Sequence, residues 1–262
     1  MAEDRTTGER FKRVTGPALR ALARRRELSA SFHANADTGT RSGDEVRLPQ
    51  PTAAPTSEEA SRLRGEADVQ AVRQRYHDKR VHHAHKPRTE QGREVFDAVE
   101  QARCEALGSR FAGVAANLDA ALDERYRARG YTHVQHREDV PLAEVLRVLA
   151  REHMTGMAPP PAAKAMLEAW RPTLDGRALR QLEELAAQRE DQTAYARAVQ
   201  RLLEHLEVES PEVDAPDEQE QDADAESGTA EAQQAEEGTS GGGEQQDAGD
   251  DGGEADLGEQ DA

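Results

Sequence analysis

The sequence predicts an all-α fold: about seven helices within residues 1–207, then a disordered acidic tail over 208–262. Three observations carry that prediction. Apolar residues are mostly Ala and Leu with only 3% aromatics, which suits helices packed through small side chains better than a β-sandwich. Apolar positions recur at helical spacing through much of residues 9–206, and no segment of any length alternates with the period of a strand. The charge also changes abruptly. The last Lys or Arg is Arg201, and residues 207–262 carry 21 Asp and Glu with no Lys or Arg. Of the chain's 52 acids and 34 bases, 31 and 34 remain in the first 206 residues, so the net charge is +3 there and −21 on the last 56.

The elements follow in order. Residues 9–28 read as a helix with Phe11, Val14, Ala18, Leu19 and Leu22 at helical spacing; Arg24-Arg25-Arg26 lies near its C-terminal end, where cations are favoured, and Pro17 marks a kink or a start. Residues 35–56 are loop-like, rich in Gly and Pro, with a short extended piece at 46–49. Ser57 is the expected N-cap of a helix running to Tyr76. Residues 77–89 hold four histidines and the Pro87 break. A stronger helix, 90–107, follows with Val95, Phe96, Val99, Ala102 and Ala106 on one side and Gly108 at its end. Val114, Leu118, Ala121, Leu122 and Tyr126 mark the next, closed by Gly130. Pro141 sits at the expected first turn of a helix bearing Leu142, Val145, Leu146 and Leu149. After the break at 155–161 come a short helix at 162–170 and one long helix at 177–206.

The tail's apolar residues larger than Ala are Val208, Val213 and Leu257. So little burial does not offset the entropy of ordering the backbone, hence the expected disorder. One cysteine, Cys104, excludes an intrachain disulfide and suits a reducing cytoplasm. The N-terminus lacks the apolar stretch of a signal peptide, and no apolar run approaches the roughly 20 residues that span a bilayer. The near-balanced charge of the first 206 residues gives no general case for nucleic-acid binding.

The densest titratable cluster is His77, Asp78, His82, His83 and His85. Imidazoles bind transition metals, and His82 and His85 at i, i+3 share a helical face; the spacing matches no established zinc pattern and equally fits a polar linker. These four histidines are weak metal candidates, and no metal ligand is assigned. His133 and His136, beside Glu138 and Asp139, have the residue types for acid–base work or for a plain loop and helix start. Asp119 and Asp123 at i, i+4 fit a solvated face. Cys104 reads as a small buried hydrophobe more readily than as a nucleophile. Trp170-Arg171-Pro172 is either a surface anchor or a core cap. Trp170, Arg171, Tyr195 and Arg197 form the candidate partner interface. No phosphate loop, dinucleotide turn or nucleophile elbow occurs, so the chain offers no catalytic or cofactor-binding residue by a known local device.

Several blocks stand in a specific order: Phe11-Lys12-Arg13 through Arg20-Ala21-Leu22-Ala23, Arg47-Leu48-Pro49, Arg64-Gly65-Glu66-Ala67-Asp68, and Tyr76-His77-Asp78. They continue with the run Val95 to Arg103, Gly113 to Leu118, Arg125-Tyr126, Asp139-Val140-Pro141-Leu142, Leu167 to Pro172, and Asp191 to Val199. In this order they resemble the N-terminal region of the T subunit of aerobic cobaltochelatase, the CobT family, from about Phe11 to Leu206. The resemblance implies a helical region, an acidic linker and a C-terminal von Willebrand factor A domain with a D-x-S-x-S metal site. No D-x-S-x-S occurs in this sequence, so no family metal ligand carries over, and a fragment, a split gene or a natural short form is expected. It further implies a non-catalytic adaptor that assembles, in an oligomeric ring, with an AAA+ ATPase subunit (CobS) and a large corrinoid-binding subunit (CobN). That complex uses ATP and Mg²⁺ to insert Co²⁺ into hydrogenobyrinic acid a,c-diamide in cobalamin biosynthesis. The competing expectation is a free-standing interaction module whose polyanionic tail binds basic partners.

Overall fold

The computed structural model describes residues 7–34, 41–42 and 44–209; the expected tail beyond Glu209 lies outside them. Its backbone is predominantly helical. Helix α1 (Thr7–Ala23) buries Phe11, Thr15, Leu19 and Ala23, a four-residue rhythm that presents one stripe to the core. Pro17 sits inside α1 without ending it. The helix stops at Arg24, which adopts φ 56°, earlier than residue 28.

The region expected to be loop-like contributes to a small sheet. Strands β1 (Ser29–His33) and β3 (Glu45–Pro49) pair in parallel, Ser29 opposite Glu45 through His33 opposite Pro49, and β2 (Arg41–Ser42) pairs antiparallel on the other edge of β3. Only Val46 and Leu48 point fully inward from β3, too short an alternation to stand out in sequence. They are buried with Leu19, Ala23, Leu28, Ala67 and Ala71, so helices on one side supply the burial that the strands lack.

Helix α2 (Ser57–Tyr76) is capped one residue before the expected position: the Thr56 hydroxyl accepts the Glu59 N–H at 3.1 Å. It packs along α5 (Val114–Ala128) at Gly65, where a Cβ would stand 2.1 Å from the Asn117 carbonyl oxygen and 2.6 Å from the Ala121 Cβ. Glycine is therefore a packing requirement there. The histidine segment is not a plain linker but contains α3 (Lys79–Ala84), capped by the Asp78 carboxylate. Helix α4 (Glu90–Gly108) runs through the centre, buries residues on every side, and packs against α6 (Leu142–Thr155). The short α7 (Lys164–Trp170) follows.

The long C-terminal helix divides into α8 (Gly176–Ala187) and α9 (Gln192–His205). Asp191 is the cause: its carboxylate accepts the N–H groups of Thr193 and Ala194, starting a new helix. The two run antiparallel, as the Arg201–Glu184 and His205–Asp175 pairs require. Their apolar stripes meet α4 and α6 in the largest core cluster, around Phe96, Val99, Leu146, Leu182, Val199 and Leu203. The placed chain continues past residue 207. Val208 packs on this cluster, and the Glu209 carboxylate accepts from Thr89 N at 3.1 Å, Thr89 Oγ1 at 2.9 Å and Arg88 N at 3.3 Å, at the N-terminus of α4. Among the described residues, no helix is long and apolar enough to cross a membrane.

Candidate functional site

His77 and His82 end up in a polar knot against α4. His77 Nδ1 lies 3.0 Å from Glu100 Oε1. Arg103 approaches the same carboxylate with Nε and Nη2, both at 2.8 Å, and extends Nη2 to the Tyr76 carbonyl at 2.7 Å and Nη1 to the Arg189 carbonyl at 3.1 Å. One guanidinium thus ties the end of α2, the middle of α4 and the α8–α9 turn. Glu100 is 3% exposed. Burial pushes its carboxyl up, but the hydrogen bonds from Arg103 and His77 outweigh this and hold it below its ordinary value. The Arg103 guanidinium lies 5.7 Å from the centroid of the Tyr195 ring.

His82 belongs to the same knot. Its Nε2 is 2.7 Å from Asp97 Oδ1, and its ring lies 4.8 Å from that of His77 and 4.7 Å from that of Phe96. The bond from His82 holds the Asp97 carboxyl low. His85 Nδ1 is 2.9 Å from the Val81 carbonyl, and His83 is exposed. Asp78 N donates to Gln192 Oε1 at 2.7 Å while Gln192 Nε2 donates to Asp78 O at 3.0 Å. The segment is therefore a strap clamped onto α4 and α9. Among the described residues, no three His, Cys, Asp or Glu side chains gather as a metal ion would need.

Other singled-out groups resolve individually. Cys104 is buried with Sγ 3.6 Å from Glu100 Oε1, and burial raises its thiol pKa, the opposite of nucleophile activation. Asp119 pairs with Arg151 at 3.1 Å, and Asp123 accepts the Ala162 N–H at 2.8 Å, so both brace helices rather than face solvent freely. His133 and His136 are exposed on the α5–α6 connection.

Of the expected interface residues, Tyr195 needs correction. It is 1% exposed and its hydroxyl donates to the Val99 carbonyl at 3.0 Å, which makes it a core residue. The apolar stripe of α9 contains it, and its ring belongs to that stripe. Arg197 is exposed on α9. Trp170 is half-buried and packs against both of the larger core clusters. Arg171 is exposed and helps line a groove of about 890 Å³ between α6, α7 and α8. Leu149, Leu167, Leu174 and Leu179 give that groove an apolar floor; Leu179 remains 42% exposed. Its rim carries His153, Lys164 and Glu168. The groove leaves no local signal in the sequence because its leucines come from three separate helices and the α7–α8 connection. Glu100 and Arg103 were legible only as charges breaking the apolar run of α4.

The sequence comparison fits this helical architecture. The family model described as "Cobalamin biosynthesis protein CobT" matches residues 5–262, nearly the whole chain, so the protein belongs to the CobT family. No solved structure matches it.

Proposed function

We propose that this CobT-family chain is a non-catalytic adaptor subunit of an ATP-dependent cobaltochelatase, the complex that inserts Co²⁺ into hydrogenobyrinic acid a,c-diamide. The family match over residues 5–262 carries the reading. The polar groups of the described domain agree with it: Glu100, Arg103, His77 and His82 bind one another and the backbone. Such a knot positions helices; it does not present a reacting group to a cleft.

In this reading ATP and Mg²⁺ belong to an AAA+ ATPase subunit, CobS. The corrinoid and the Co²⁺ substrate belong to the large subunit, CobN. Metal insertion requires stripping water from the ion and deforming the ring, and nucleotide hydrolysis in the partner supplies that work. The adaptor's task is to transmit the motion, which calls for a stiff helical body and an exposed docking face. The α6–α8 groove, with Leu179 at its surface, supplies such a face. The assembly is a cytoplasmic, ring-like oligomer.

Mixing the purified chain with the ATPase subunit and ATP and running a sizing column tests the proposal. Co-elution is expected. Separate elution with and without nucleotide contradicts it.

A further inference from the structure

The C-terminal ends of α1 and α2 and the turn after α4 share one corner of the domain, around a cleft of about 670 Å³. Arg24, Arg25, Arg75 and Arg110 line it together with Tyr76 and Phe111, and among the described residues no carboxylate does. The rings hold two of the four guanidinium groups in place. Arg75 lies 4.5 Å from the Phe111 centroid and 5.3 Å from that of Tyr76; Arg110 lies 5.5 Å from the Tyr76 centroid, with Nη2 3.2 Å from its hydroxyl.

Arginine gathers at helix C-termini for an ordinary reason: about half a negative charge resides at each. Arg75 serves that purpose in part, since its Nη1 donates to the Leu22 carbonyl at 3.0 Å. Nearby acids take up some of the remainder. Arg25 meets Glu27 at 2.6 Å and Asp44 at 3.6 Å, and Arg110 meets Glu190 at 3.5 Å. All of these pairs are solvent-exposed and therefore weak. Arg24 and Arg75 form no ion pair among the described residues. Arg24 also occupies the left-handed region, φ 56°, at a helix end where glycine is the unstrained choice. The backbone bond from Arg25 N to the Arg20 carbonyl at 3.2 Å makes Arg24 the left-handed cap of α1; the cap explains its φ, while its side chain adds a fourth cation to a cleft that already holds three.

We infer that this cleft binds a multivalent oxyanion, with the guanidinium forks taking phosphate or carboxylate oxygens in pairs. The stacked rings fix the forks of Arg75 and Arg110 in advance, which lowers the ordering cost of binding. The same stacking covers aromatic faces that nucleobases would need. The inference is independent of the chelatase reading.

Isothermal titration of the full chain at low ionic strength tests it, with inorganic pyrophosphate and a polyglutamate peptide as probes. Saturable binding of either is expected, and the tighter probe identifies the ligand as phosphate- or carboxylate-bearing. Arg24→Gly and Arg110→Ala should each weaken that binding by about tenfold, the loss of one charge-assisted contact. Arg180→Ala, at an exposed position of α8, should leave it unchanged. Arg24→Gly relieves the backbone strain, so its thermal midpoint should not fall, which separates lost binding from lost folding. No saturable heat with either probe, or equal affinity in Arg24→Gly, Arg110→Ala and the parent chain, overturns the inference.

Discussion

Replacing Glu66 with Gln should stabilise the domain at alkaline pH and do little at acidic pH. Glu66 lies on α2, is 7% exposed, and faces Arg125 on α5, Arg147 on α6 and Glu105 on α4, with Arg62 on its own helix. Burial raises its carboxyl from 4.5 to about 7, because the arginines only partly offset the desolvation of the ionised form. The raised folded value means the protonated form favours folding. Its contribution is complete below about 4.5 and is lost as pH rises through about 7. At about 1.4 kcal/mol per pH unit, the full interval corresponds to about 3 kcal/mol, an upper figure for one group. Gln keeps the shape and never ionises. Urea unfolding of both proteins, followed by circular dichroism across this range, provides the assay. The curves should coincide near pH 4.5, with Glu66→Gln more stable by about 1–3 kcal/mol at pH 8. Glu100 and Glu144, held low by their arginines, titrate alike in both proteins and cancel in the difference. A Gln variant less stable than the parent at pH 8 refutes the reasoning, since it would mean that ionised Glu66 is a net favourable partner of Arg125 and Arg147.

Three further outcomes follow from the same structure. Glu209→Gln removes a carboxylate from the α4 N-terminus and should cost about 0.5–1 kcal/mol in chemical unfolding; a chain ending after Leu206 should show at least that loss, whereas one ending after Val213 should not. Leu179→Arg, on an exposed position of the groove floor, should leave the thermal midpoint within a degree or two while abolishing co-elution with the ATPase subunit; intact co-elution would move the docking face elsewhere. Titration with Co²⁺ should give no saturable heat that His82→Ala removes, because His77 and His82 are engaged by Glu100 and Asp97.

Helices whose start and stop signals lie within a few residues were legible in the sequence. The spans of α2, α4 and α5 follow from apolar spacing and from signals beside them, such as Thr89 and Gly130. What escaped depends on partners distant along the chain. The sheet rests on Val46 and Leu48 meeting α1 and α2. The division at Asp191 looks like a helix interior until its side chain is seen capping Thr193 and Ala194. The site was less legible still. His77 was visible as a titratable residue, but its partner Glu100 is on another helix, and Arg103 bonds carbonyls of Tyr76 and Arg189 that no local pattern announces. Tyr195 was misplaced because a tyrosine two residues before an exposed arginine reads as surface when its helical phase is ignored.

Reconstituting the chelatase from purified subunits and following Co²⁺ insertion into hydrogenobyrinic acid a,c-diamide by its absorbance change tests the adaptor role. An adaptor makes ATP-dependent insertion require this chain together with the ATPase and large subunits, with none when the chain is omitted. Insertion at an equal rate without it, or by this chain alone, contradicts the account.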